Sequence, residues 1–203
     1  MIAIVDYGVG NLFSLISSFK KIGADITVTS DPNVISAADG IILPGVGAFE
    51  DAARKLRESG LDKVIINETK NGKKLMGICL GMQMLFEKSY EYGEHDGLGL
   101  LKGKIVPMKG SIPANLKIPH IGWNALHFTR ESALFKYINK DDCVYFVHSF
   151  YATDCDDSVI ATAEYGKELT AAVQNGNIMG CQFHPEKSGM VGLNILRAFC
   201  EME

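Results

Sequence analysis

Cys79 lies in the run Gly77-Ile78-Cys79-Leu80-Gly81, with Lys73-Lys74-Leu75-Met76 before it and Met82-Gln83-Met84-Leu85-Phe86 after it. The first flank reads as the end of a buried strand and the second as the start of a helix. Glycines two before and two after a nucleophile let a strand turn sharply into a helix with little crowding, the arrangement called a nucleophile elbow. The turn lifts the sulfur clear of the backbone and leaves it at a helix N-terminus, where backbone N–H groups favour an anion. A lone cysteine in an apolar segment is usually only buried; the paired glycines at the strand-to-helix switch favour the nucleophile.

A nucleophilic cysteine needs a base, and the base needs a partner to orient it. The chain has five histidines. His95 sits in a charged loop and is expected to face solvent, His127 reads as half-exposed strand, and His148 ends an apolar strand. His120 follows Pro119. His184 ends a further strand and is followed by Pro185 and Glu186. In extended chain, residues i and i+2 point the same way, and Pro185 disfavours helix at His184. Glu186 is therefore expected to reach the Nδ1–H of His184 and leave Nε2 facing the thiol. The pair alone does not distinguish this from a strand-end histidine beside a surface glutamate. The order Cys, His, Glu differs from α/β-hydrolases, where the acid precedes the histidine. For developing negative charge, the N–H of Leu80 and the Pro44-Gly45-Val46-Gly47 loop are candidate donors. That loop on its own is equally a plain turn, and it lacks the Lys-Ser/Thr of a phosphate-binding loop.

The elements that must position these residues alternate in the first half: strands at Ile2–Val5, Ile26–Val28 and Ile41–Leu43, and helices from Asn11 to Ile22, Phe49 to Ser59 and Leu61 to Thr69. Short apolar strands alternating with helices predict an α/β fold, an open, mostly parallel sheet between helices, with ligands bound beyond the carboxyl ends of the strands. The second half adds strands at 105–106, 143–147, 159–163, 171–173 and 179–183, a hairpin at Gln174–Asn177, and a closing helix from Gly189 to Cys200. Residues 1–203 read as one domain. A net charge of -4 and no basic cluster among aromatics argue against nucleic acid as a partner. No apolar run reaches membrane-spanning length, and no leader is recognised, so a cytoplasmic location is expected. Five scattered cysteines without a CxxC pair fit a reducing compartment and suggest no zinc ribbon. No cofactor is expected. No metal is either, since His184 and Glu186 have no further ligand at a recognisable spacing.

Together, Gly77-Ile78-Cys79-Leu80-Gly81-Met82-Gln83 and Phe183-His184-Pro185-Glu186 resemble the class I (triad) glutamine amidotransferases. Asp6–Leu12, Pro44–Phe49, Pro119–Asn124, Tyr145–Tyr151 and His184–Ser188 are similar, within that family, to the glutaminase subunits of imidazole glycerol phosphate synthase, over essentially the whole chain. The resemblance implies attack of Cys79 on the side-chain amide of L-glutamine, proton transfer through His184, and orientation of His184 by Glu186. It also implies a γ-glutamyl thioester, an oxyanion hole from Leu80, Val46 and Gly47, and substrate contacts from Gly45, Gln83, Ser149 and Phe150. The ammonia would pass to a cyclase subunit, a (β/α)8 barrel, facing Asn11, His120, Trp123, Tyr145 and Lys187. Alternatives that stay open are the glutaminase subunit of another amidotransferase synthase, a non-catalytic protein on the same fold, and a stand-alone cysteine peptidase or γ-glutamyl hydrolase.

Overall fold

The computed structural model describes residues 1–202. The first half contains β1 (Ile2–Val5), α1 (Leu12–Lys21), β2 (Ile26–Thr29), α2 (Pro32–Ala37), β3 (Gly40–Leu43), α3 (Phe49–Glu58), α4 (Leu61–Lys70), β4 (Lys74–Ile78) and α5 (Leu80–Met84). Then come β5 (Phe86–Ser89), β6 (His95–Asp96), β7 (Leu101–Pro107), β8 (His120–Ala125), β9 (His127–Phe128) and β10 (Cys143–His148). The chain continues with β11 (Phe150–Thr153), β12 (Val159–Glu164), β13 (Glu168–Asn175), β14 (Ile178–Cys181) and α6 (Gly189–Glu201).

An eight-stranded sheet runs in the order β2-β1-β3-β4-β14-β13-β12-β9. The strands from β2 to β14 are mutually parallel, and β13, β12 and β9 extend the sheet antiparallel. Side chains alternate across it: Ala3, Val5, Ile41 and Leu43 pack with α2, α3 and α4 on one face, while Ile2, Ile4 and Ile42 pack with α1 and α6 on the other. Burial on both faces is why these strands are unbroken apolar runs rather than alternating ones. β11-β7-β5-β6 form a smaller sheet, and β8 pairs with β10.

Three local expectations change. Helix after Cys79 stops at Met84, and Phe86 already begins a strand. An apolar run of this length suits either state, and pairing of Phe86 with Leu101 decides for the strand. α2 was not read from the sequence, although Asp31 caps it by accepting from the Asn33 N–H at 2.8 Å with Pro32 in its first turn. His95 is half-buried rather than free in solvent. The Gln174–Asn177 hairpin is present, with Gly176 at φ 57° between β13 and β14.

The elbow itself depends on missing side chains. Cys79 adopts φ 53° and ψ −109°, a conformation that costs a non-glycine residue about 1–3 kcal/mol. A Cβ on Gly81 would lie 1.8 Å from the Leu43 carbonyl oxygen, and one on Gly77 would lie 2.6 Å from the Gly81 oxygen and the Met82 nitrogen. Both clashes are with backbone, which cannot rotate away. Gly81→Ala is therefore expected to destabilise the protein by about 3 kcal/mol or more, the upper range for overpacking. Thermal unfolding should then show a Tm lowered by about 6–12 °C; an unchanged Tm would show that α5 can move off β3.

Candidate active site

β4 and β14 are parallel neighbours in register, Ile78 opposite Cys181. The Cys79 N–H extends this ladder by donating to the Cys181 carbonyl at 2.8 Å. Both strands end at the same level, so the residue after β4 meets the residues after β14. His184 is fixed there by its backbone: its N–H donates to the Tyr145 carbonyl at 2.9 Å, and its carbonyl accepts from the Ser188 hydroxyl at 2.7 Å. Ser188 also accepts the Tyr145 N–H at 2.9 Å, which locks β10 to the same corner.

His184 Nδ1 lies 2.8 Å from Glu186 Oε1, and both side chains are almost wholly buried. The route differs from the extended one expected. His184 is extended, but Pro185–Lys187 form a single 3₁₀ turn, which folds the carboxylate back onto the ring. Glu186 Oε2 finds no donor among the described residues, so the carboxylate is directed at the imidazole alone. Burial opposes charge on His184, but hydrogen bonding and charge interaction with Cys79 and Glu186 outweigh it and raise its pKa to about 9. The imidazole thus sits between the thiol and the acid, with the tautomer set by Glu186.

A cleft of about 340 Å³ opens over Cys79. It gathers Val46, Gly47, Leu80, Gln83, Ser149, Phe150, His184 and Lys187 from the residues expected. A larger depression of about 590 Å³ lies elsewhere, between Arg130, Lys167 and Thr170, and no cysteine or histidine lines it. Leu80 occupies the first turn of α5, where backbone N–H groups have no acceptor within the helix. Val46 is exposed at the mouth, and Gly47 has φ 94° with open space on its Cβ side. Gly45 does not line the cleft. It is packed against the elbow, where a Cβ would meet the Gly81 nitrogen at 2.9 Å and the Tyr7 hydroxyl at 3.1 Å. Tyr7 itself ties the loop down by donating to the Pro44 carbonyl at 2.7 Å.

Gln83 lines the cleft with its amide nitrogen already engaged: Nε2 donates to the Phe150 carbonyl at 3.2 Å and to Gln182 Oε1 at 2.9 Å. Its amide thereby ties the cleft wall at Phe150 to Gln182. Gln182, which the sequence reading missed, is fully buried and points Nε2 at the Cys79 sulfur, 3.7 Å away. Glu91 and Tyr92 were also missed; Glu91 Oε2 accepts the Phe49 N–H at 2.8 Å and so joins their loop to the start of α3. Burial raises the Glu91 pKa. Nothing local in the sequence marks these three, because strand adjacency and a loop crossing bring them in.

Of the residues expected to face a partner, Trp123 is 54% exposed, Tyr145 packs edge-on to it with ring centroids 6.0 Å apart, and Lys187 reaches over the Tyr145 ring. His120 does not belong with them. It is 1% exposed, because alternation along β8 turns it inward between the rings of Phe146 and Tyr165 while Ile121 and Trp123 turn out. Asn11 is exposed at the start of α1, but it makes no side-chain cap; its amide donates to Ser14 at 3.3 Å. Among the described residues no cluster of three His, Cys, Asp or Glu is arranged to hold a metal, and no helix is long and apolar enough to cross a membrane.

The family model described as glutamine amidotransferase class-I matches residues 3–201. The chain belongs to the class I glutamine amidotransferases. Among similar proteins of this family are two called imidazole glycerol phosphate synthase subunit HisH. The one from Syntrophotalea carbinolica is 45% identical over 100% of both chains. The one from Methanothermobacter thermautotrophicus is 48% identical over 100% of this chain and 98% of that one. A crystal structure of a glutamine amidotransferase superposes with a TM-score of 0.77 at 19% identity, covering 99% of this chain and 98% of the other, which is likeness of fold. This amidotransferase thus carries its thiol, imidazole and carboxylate on the ends of two adjacent parallel strands.

The raised His184 pKa has a kinetic consequence. The imidazolium persists up to about pH 9, so the alkaline limb of kcat/KM for glutamine is expected there. Glu186 contributes to holding that proton, so Glu186→Gln should move the limb to lower pH. It should also lower kcat/KM by on the order of 10²–10⁴, less than His184→Ala does. A pH–rate profile checks both, and an unmoved limb would place the orienting acid elsewhere.

Proposed function

We propose that this chain is the glutaminase subunit of an imidazole glycerol phosphate synthase. It hydrolyses glutamine and passes the ammonia to a cyclase subunit, a (β/α)8 barrel, which makes imidazole glycerol phosphate and an aminoimidazole carboxamide ribonucleotide. The reading is supported by full-length identity of 45–48% to subunits of that name, together with the Cys79–His184–Glu186 geometry.

In this reading Cys79 attacks the glutamine side-chain carbonyl, and His184 delivers a proton to the leaving ammonia. Water then releases glutamate from the thioester, with His184 acting as base. Glu186 holds the imidazole in one tautomer and stabilises its charged form. The Leu80 N–H and a donor from Val46 or Gly47 meet the oxyanion, each such donor contributing roughly 3–4 kcal/mol in the transition state. Ser149 and Phe150 offer backbone groups to the amino-acid end of the substrate. Trp123, Tyr145 and Lys187 form a rim beside the cleft mouth, and this rim faces the cyclase.

The same geometry supports control by the partner. Gly47 already has a positive φ and open space on its Cβ side, and glycine's wide conformational range favours a turn of the Val46–Gly47 peptide there. Gly45 has no such freedom. We place the hinge of the oxyanion loop at Gly47, with one peptide orientation at rest and the donating one when the cyclase binds its ligand.

The deciding experiment measures glutamine turnover by the chain alone, with the cyclase, and with the cyclase and its nucleotide ligand. Turnover is expected to rise on the order of a few hundredfold with ligand, the value of one oxyanion donor. Gly47→Ala, which strains a positive φ, is expected to lose most of that response. A parent protein equally active with and without ligand rejects the hinge. Cys79→Ala should abolish glutamine-dependent synthesis by the complex and leave synthesis from ammonium salts intact. Failure to activate with this cyclase, but activation with another synthase subunit, would favour the alternative glutaminase reading.

A further inference from the structure

Two buried histidines stand behind the cleft wall, opposite one another on β10 and β8. Their hydrogen bonds form a chain between two carbonyls. His148 Nδ1 is 2.8 Å from the Phe150 oxygen. His148 Nε2 is 3.1 Å from His120 Nδ1. His120 Nε2 is 2.7 Å from Asn124 Oδ1, and Asn124 Nδ2 donates to the Glu164 carbonyl at 2.9 Å. Each end of the chain is an acceptor, and each hydrogen bond needs one proton. A neutral imidazole brings one proton, and so does the amide, which offers a donor on one side only. The four contacts therefore have three protons between them. Moving the proton to the other nitrogen of either ring, or flipping the amide, shifts the acceptor–acceptor contact along the chain but does not remove it. One additional proton, making either imidazole an imidazolium, satisfies all four.

We infer that His120 and His148 are positioning residues for the amide substrate, joined with Asn124 in a latch that ties β8 to the Phe150 carbonyl and closes fully only when it binds one extra proton. The inference rests on the glutaminase reading in assigning Ser149 and Phe150 to the substrate. The Phe150 carbonyl also accepts from Gln83 Nε2, and His148, Ser149 and Phe150 all line the cleft, so the latch bears on the wall that glutamine meets. At its other end it reaches β8, which carries Trp123 on the exposed side. The extra proton falls to His120, since it borders the Asn124 oxygen. His148 is more deeply enclosed, and burial with repulsion from His120 and His184 lowers it to about 4 despite the Phe150 carbonyl. Burial also lowers His120, partly offset by Asn124. The titratable groups facing the pair are Tyr165, stacked on His120 with centroids 4.0 Å apart, His184, and the two rings themselves. No carboxylate or ammonium group acts on either ring among the described residues.

The latch is thus closed on the acid side of the His120 titration and loses one hydrogen bond above it. The KM for glutamine of the complex is expected to rise about three- to tenfold as the pH is raised through the His120 titration, which burial places below its ordinary value; that factor is the value of one hydrogen bond. Asn124→Leu removes the opposing acceptor and should make KM nearly independent of pH, with kcat following the parent profile. Imidazole nitrogen NMR of the histidine-labelled complex gives a readout independent of turnover. His148 should remain a neutral Nδ1–H tautomer throughout, and His120 should gain its second proton below neutrality. A flat parent KM through this titration, or a His120 that never titrates, overturns the latch. Absence of glutamine turnover at every pH would reject the glutaminase reading, while the NMR result would still decide the proton count.

Discussion

The Leu43 carbonyl and the α-carbon of Gly81 share a space too small for any side chain, and the site is built outward from that contact. It lets α5 begin flush against β3, which turns the chain at Cys79 and leaves the sulfur above the strand ends. The strained backbone at Cys79 costs about 1–3 kcal/mol. Leu80, Met82, Met84 and Leu85 around it are all buried, and each such side chain contributes about 1.5–3 kcal/mol on burial. The packing of the short helix therefore outweighs the strain, and the elbow persists without any ligand.

Position of the imidazole is a matter of backbone more than of side-chain attraction. The ladder between β4 and β14 sets the level of Cys79 against the chain that leads to His184, and Ser188 joins β10 to the same corner. The ion pair between His184 and Glu186 then refines orientation and proton affinity within a frame already made. A buried pair of this kind is weak evidence for stability, since desolvation offsets much of its attraction. Its value lies in the chemistry of the ring.

What the sequence disclosed and what it hid follow from the range of the interactions. Gly77, Cys79 and Gly81 are local in the chain, and so are His184, Pro185 and Glu186; residue type and spacing suffice for them. Alternating strands and helices in the first half were equally legible, because burial on both sheet faces leaves plain apolar runs. Gln182 and Glu91 were not legible, since one depends on which strands are neighbours and the other on a loop crossing to α3. His120 was grouped with the partner-facing residues through the resemblance of its Pro119–Asn124 segment; only pairing with β10 shows which side of the strand turns inward. The strand at Phe86 was hidden by an apolar run that suits helix and strand alike.

β14 comes late in the chain yet lies inside the sheet, between β4 and β13. During synthesis β4 leaves the ribosome long before the strand that must pair with it, so the nucleophile exists for much of that time without its neighbour. The last pairing in the parallel core spans a long stretch of sequence, which is entropically slow to close. A nascent chain therefore holds an unformed centre with β4 open on one edge, and the thiol gains its base only as the sheet is completed.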